Sequence, residues 1–161
     1  MKRRRIFASG KGQGGFSLLE VLIAVVVLAF GLLGFALLQT TSVRFVQSAN
    51  YRTQATNLAY DMTEMMRSNR YQSAWYTNAT FAPGSKAATT TACPRQNGDA
   101  LTINQNITRW QCQVVKALGA DAGATVTVVN GVATVSITWS DQRWDPANPN
   151  TPTTFGVTTQ L

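Results

Sequence analysis

One carboxylate stands inside an apolar run. Between Leu18 and Leu38 every residue except Glu20 is apolar, and 21 positions at about 1.5 Å each make roughly 31 Å of helix, the hydrocarbon thickness of a bilayer. A carboxylate near the middle of a membrane helix costs on the order of 3 kcal/mol, and one near its edge costs less. Glu20 therefore needs a reason, and an intramembrane acid is by default a functional hypothesis. The other residues with chemistry to offer are Cys93 and Cys112, the only cysteines. The chain has no histidine, which excludes a His-dependent triad, a Cys–His dyad and an imidazole-rich metal centre. Its seven acids show no pair placed at glycosidase spacing, and its two cysteines lack the close-spaced partners of a zinc site. The sequence thus supplies no catalytic residue, no metal site and no cofactor site.

The element that must position Glu20 is a membrane helix with a basic head. Lys2, Arg3, Arg4, Arg5 and Lys11 precede it with no acid among them, so five of the fourteen cations and none of the seven acids lie before Phe16. The formal charge of +7 falls to +2 once that head is set aside. Cations on the short side of a membrane helix mark the cytoplasmic side, which predicts a single pass through the inner membrane and a periplasmic remainder. The high pI is mostly this address and weak evidence for nucleic acid. A cleaved secretory signal has a shorter apolar core and a small-residue cleavage site, whereas Leu38-Gln39-Thr40-Thr41 offers none. An uncleaved signal anchor fits the length but leaves Gly14-Gly15 and Glu20 unexplained.

The basic head, Gly15-Phe16-Ser17-Leu18-Leu19-Glu20 and the apolar run together resemble the type IV prepilins. The resemblance implies cleavage between Gly15 and Phe16 by a membrane-embedded prepilin peptidase, methylation of the new amino terminus on Phe16, and an assembly role for Glu20. The electrostatics agree: cleavage creates a cationic amine in or near lipid, and a carboxylate is the group that neutralises it in a low dielectric. Gly31 and Gly34 mark where the resemblance implies that the helix unwinds on entering a filament; the proline many major pilins carry there is absent.

Export also bears on the cysteines. An even pair in an oxidising compartment reads as one disulfide, Cys93–Cys112. Its 18-residue loop contributes roughly 3 kcal/mol in the chain-entropy model.

Helical periodicity continues past the membrane. Val43, Val46, Ala49, Leu58, Ala59, Met62, Met65 and Met66 recur at three- and four-residue steps, predicting one helix from Phe16 to about Arg67 with a stop at Ser68-Asn69. Asp61, Glu64 and Arg67 read as its solvated face. Residues 77–100 read as a long connection, and 106–118 as a short helix. Asn130-Gly131 between Ala124–Val129 and Val132–Trp139 signals a type I′ hairpin. Its register sets Val128 against Ala133, Val126 against Val135 and Ala124 against Ile137 on one face. Phe155, Val157 and Leu161 alternate as a third, terminal strand would. Asp141, Asp145, Asn148 and Asn150 gather oxygens but lack the spacing of a calcium loop. Tyr71, Trp75 and Tyr76 beside Arg67 and Arg70 suit a base-stacking patch, although such aromatics more often close a core.

The expected fold is α+β and pilin-like: a cleaved leader (1–15), a transmembrane and assembly helix (16–38), its amphipathic half (39–69), and a globular region (70–161) with a small antiparallel sheet. Gly15–Ala24, Gly31–Gly34, Gln54–Met62 with Met65-Met66-Arg67, and the Val135–Trp139 strand are similar to the minor-pilin family PilV, the type IV pilus modification proteins. That resemblance implies a non-enzymatic, membrane-anchored subunit that primes or modifies pilus assembly and ends on the cell surface. Its implied partners are prepilin peptidase, other minor pilins, the major pilin and a tip adhesin. A minor pseudopilin of a type II secretion system, or a pilin-anchored DNA-binding or adhesive module, are the alternatives.

Overall fold

A computed structural model describes residues 15–89, 93, 101–141, 147 and 151–161. They divide into two compact units, one reaching to Val43 and one spanning Arg44–Leu161. Helix α1 runs from Leu18 to Ser68. Its start is two residues later than the apolar pattern suggests, because Ser17 caps it: the Ser17 hydroxyl accepts from the Leu19 N–H at 3.2 Å. The acid Glu20 falls in the first turn and Arg67 in the last, each favourable to the helix dipole. The expected stop holds, with the Asn69 N–H turning back to the Met66 carbonyl at 3.2 Å.

In the first unit every residue from Phe16 to Val43 is exposed. The helix is long and apolar enough to cross a membrane, and none of its most apolar window is buried in the protein.

In the second unit, α1 buries Ala55, Ala59, Met62, Thr63 and Met66, a stripe at three- and four-residue steps. Leu58 and Met65 flank it, half-buried. Val46 and Ala49, expected on that stripe, are exposed. Periodicity alone does not say where the covering domain begins. Asp61, Glu64 and Arg67 are exposed as expected, with Arg67 donating to Glu64 at 2.6 Å.

The chain then enters a 3₁₀ helix, Arg70–Ala79. At three residues per turn, Ser73, Tyr76 and Ala79 share a face, and Tyr76 and Ala79 are fully buried there. Tyr71 and Trp75 lie off that face and are exposed. Of the three aromatics only Tyr76 closes the core. The connection expected over 77–100 is also shorter than it reads, since Phe81 pairs with Ala124 through two backbone hydrogen bonds of 2.8 and 3.0 Å. This bridge covers the edge of strand β1 (Gly123–Val129). A side chain at Gly123 would meet Pro83 at 2.7 Å, so glycine there admits the covering segment.

Helix α2, Ile103–Leu118, begins three residues before the expected 106. The cause is a capping box: the Thr102 hydroxyl accepts from the Gln105 N–H, and the Gln105 side chain accepts from the Thr102 N–H. Ile107, Trp110, Val114, Val115 and Leu118 form its buried face. Trp110 Nε1 donates to the Leu58 carbonyl at 2.8 Å, fixing α2 to the lower half of α1.

Strand β1 turns through Asn130 (φ 51°) and Gly131 (φ 77°) into β2, Val132–Ser140, the left-handed pair a type I′ turn requires. The register is the expected one, with Val128 opposite Ala133, Val126 opposite Val135 and Ala124 opposite Ile137. Strand β3, Pro152–Gln160, pairs antiparallel with β2, giving the order β1-β2-β3. Phe155 faces Ile137, and Val157 faces Val135. On the outer face Thr138 meets Thr154 at 2.9 Å, and Thr134 meets Thr158 at 3.2 Å. The inner face closes over Trp110, Tyr76, Met62 and Met66 to form one core. The fold is α+β, as expected.

Candidate functional site: the amino-terminal segment

Gly15 and Phe16 lie just ahead of the capped end of α1, in exposed, non-helical backbone. A side chain built at Gly15 meets nothing within 4 Å, and its φ is not in the left-handed region. Nothing in this chain's own fold therefore asks for glycine at position 15. Phe16 is 84% exposed, a high value for a large aromatic. Residues 1–14 of the leader lie outside the described residues.

Glu20 is the third residue of α1, one turn beyond Phe16 and exposed. Ser17-Leu18-Leu19-Glu20 has the spacing of a capping box, but the Ser17 hydroxyl accepts from the Leu19 N–H and not from that of Glu20, so Ser17 is a simple N-cap. A carboxylate in this turn is stabilised by the helix dipole by about 0.3–1 kcal/mol. That offsets part of its cost in lipid and leaves the acid available to a partner cation.

Gly31 and Gly34 sit within unbroken helix, and a side chain at either meets nothing within 4 Å. On this exposed stretch they give a neighbouring helix room for close approach.

The remaining site residues lie in the second unit. Cys93 and Cys112 are joined, with Cα atoms 5.6 Å apart and a sequence separation of 19. The bond ties the segment ahead of α2 to the helix itself. Replacing both with Ser is expected to lower the unfolding free energy of the full chain by about 3 kcal/mol. Denaturant titration followed by tryptophan fluorescence measures it, and reductant should reproduce the shift in the unmodified protein.

Asp141 directly follows β2. It is buried, accepts from the Ser48 hydroxyl at 2.6 Å, and has Arg52 Nε 3.9 Å away. Its carboxylate anchors the end of β2 to α1. Asp145, Asn148 and Asn150 lie outside the described residues, and among the described residues no cluster of acids and cysteines has metal-site geometry. Arg67 and Arg70 are committed within the fold: Arg67 to Glu64 and to the Thr159 hydroxyl at 2.6 Å, and Arg70 to the Leu161 carbonyl.

Two family patterns match the chain. Residues 10–36 match the prokaryotic N-terminal methylation motif, and residues 37–113 match the family described as type IV pilin Tt1218. No curated protein and no solved structure matches it. The two matches meet within α1, and together with the fold they support a type IV prepilin-like protein with a pilin-like apolar helix as its membrane anchor. The methylation motif implies processing by prepilin peptidase and assembly with other pilins.

Proposed function

From that premise, we propose that the protein is a minor pilin: a low-abundance subunit, cut between Gly15 and Phe16 and methylated on Phe16, that primes or modifies pilus assembly through Glu20. The observation that carries the reading is the methylation motif over residues 10–36 set on a fully exposed apolar helix. From Phe16 to Val43 that helix is exposed among the described residues, so this stretch needs lipid before assembly and neighbouring helices after it.

The assignment to the PilV kind of minor pilin rests on Gln54–Met62 and Met65-Met66-Arg67. Ala55, Ala59, Met62 and Met66 of that stretch are fully buried. The likeness therefore falls on the residues that seat α1 in its domain. The basic head puts the second unit in the periplasm by the positive-inside rule, and polymerisation then carries it to the surface.

Filaments sheared from piliated cells test the proposal. The chain is expected in that fraction at a small share of the major pilin, and its deletion should reduce filament number. Retention in the envelope, with unchanged piliation and a defect in protein secretion, would move it to the minor pseudopilins.

A further inference from the structure

We propose that the cleft between the 3₁₀ helix and the beginning of α2 is a binding site for a neutral saccharide. The cleft has a volume of about 330 Å³ and is lined by Trp75, Gln72 and Asn69 on one side and Thr102, Asn104 and Asn106 on the other. That volume is at the small end of the range for ligand pockets, enough for a sugar unit or two held against an open wall.

Trp75 carries the argument. It is 60% exposed, although the 3₁₀ helix has a buried face one position away at Tyr76. An indole left in water forgoes on the order of 2 kcal/mol of burial and displays a flat apolar surface whose face is electron-rich. The C–H face of a pyranose ring, apolar and slightly positive at its hydrogens, is the complement of such a surface.

Around the indole the polar groups are amides. The side chains of Gln72, Asn104 and Asn106 make no hydrogen bond with other described residues. Each offers two N–H donors and a carbonyl acceptor, which matches hydroxyls that donate and accept together. Asn69 is held in place by donating to Tyr76 Oη at 3.1 Å, and its carbonyl oxygen remains as an acceptor.

Charge decides between ligand classes. The described lining contains no charged residue, so a phosphate or carboxylate would lose its hydration without gaining a counter-ion. The arginines on either side of the turn before the cleft, Arg67 and Arg70, are spent on Glu64, Thr159 and Leu161. Single-stranded nucleic acid needs aromatics interleaved with free cations along a groove. Here the aromatic is present and the cations are engaged. An uncharged ligand with a stackable face and many hydroxyls fits what remains.

The test uses the full processed chain with ¹⁵N-labelled indoles in a phosphocholine detergent, since glycosidic detergents carry the probe's own chemistry. Cellotriose, maltotriose and triacetylchitotriose are titrated to about 50 mM, and oligothymidylate is titrated in parallel. One indole signal, identified as Trp75 by its loss in Trp75→Phe, should move saturably with at least one sugar, with a Kd of roughly 1–10 mM. Trp75→Ala, followed in a uniformly ¹⁵N-labelled sample through the backbone amides of Gln72 and Asn104, should weaken binding about tenfold or more, and Gln72→Ala and Asn104→Ala several-fold each. The buried Trp110 and Trp139 signals should stay fixed in all variants, reporting an intact core. No saturable movement with any of the three sugars would overturn the proposal. So would movement that survives Trp75→Ala, or salt-sensitive oligothymidylate binding at this cleft that no sugar displaces.

Discussion

A Gly15→Leu chain is expected to accumulate entirely as uncut precursor, its basic head still attached. Unaltered Gly15-Phe16 should give a mature form lacking residues 1–15 and carrying one added methyl. Intact-mass spectrometry of both, from cells with active peptidase, is the measurement. The reasoning turns on what glycine does not do at this position. Gly15 is in open backbone with nothing within 4 Å of a built Cβ and no left-handed φ, so a larger residue costs this fold little. Whatever requires glycine there must approach from outside the chain. A protease that grips extended backbone closely is excluded by a side chain at the bond it cuts, and every lost contact falls on the step of cleavage. Folding should be untouched, which an intact Cys93–Cys112 disulfide and unchanged tryptophan fluorescence would show. Normal processing of Gly15→Leu, or an unshifted full-length mass for the unaltered protein, would remove the prepilin peptidase from the account.

The parts of the molecule legible in the sequence are those where one local signal had no competitor. Asn130-Gly131 between alternating strands admits one register, because a slip by one residue would turn Val126, Val135 and Ile137 out to solvent, and that register is the one formed. The uninterrupted run from Leu18 to Leu38 leaves helix as the one way to satisfy its backbone in lipid. The cysteine pair, once exported, had one available connection. What escaped was decided by tertiary contact. The 3₁₀ helix Arg70–Ala79 has no strong propensity and exists because Tyr76 and Ala79 find the core at a three-residue step. Val46 and Ala49 share the apolar period of α1 yet stay exposed, because the domain covers the helix only further along. The contact between Asp141 and Ser48, 93 positions apart, has no signal in the sequence pattern. Ser17 and Thr102 each precede a helix, with Glu20 and Gln105 three residues on; Thr102 and Gln105 close a capping box, whereas Ser17 caps through the Leu19 N–H alone. The amino-terminal segment is read from residue type and spacing alone, and the match to the N-terminal methylation motif over residues 10–36 falls on it.

Glu20 is expected to matter after insertion and not during it. In the uncut precursor its carboxylate has no processed amine to meet, and it sits in the first turn of α1 at the lipid edge, where the helix dipole favours it by about 0.3–1 kcal/mol. Glu20→Ala removes a group that is costly in hydrocarbon, so the membrane-fractionated amount should be unchanged or slightly raised. Assembly is different. On the proposed reading, the methylated amine of Phe16 on a neighbouring subunit enters a low dielectric when helices pack, and removing its counter-charge would leave a buried cation unpaired. Breaking such a pair costs about 3–5 kcal/mol, which corresponds to a loss of partner recovery of a hundredfold or more. The helix-end role supplies a competing explanation, and Glu20→Gln separates the two. Glutamine keeps a hydrogen-bonding side chain at the capping-box position while discarding the charge. If charge pairing is what assembly uses, Gln should fail as Ala does in co-purification with partner pilins and in filament number. Near-normal recovery with Gln and loss with Ala would assign Glu20 to the helix end. Full recovery with both would end the electrostatic account, and loss of both variants from the membrane would place the residue in insertion instead.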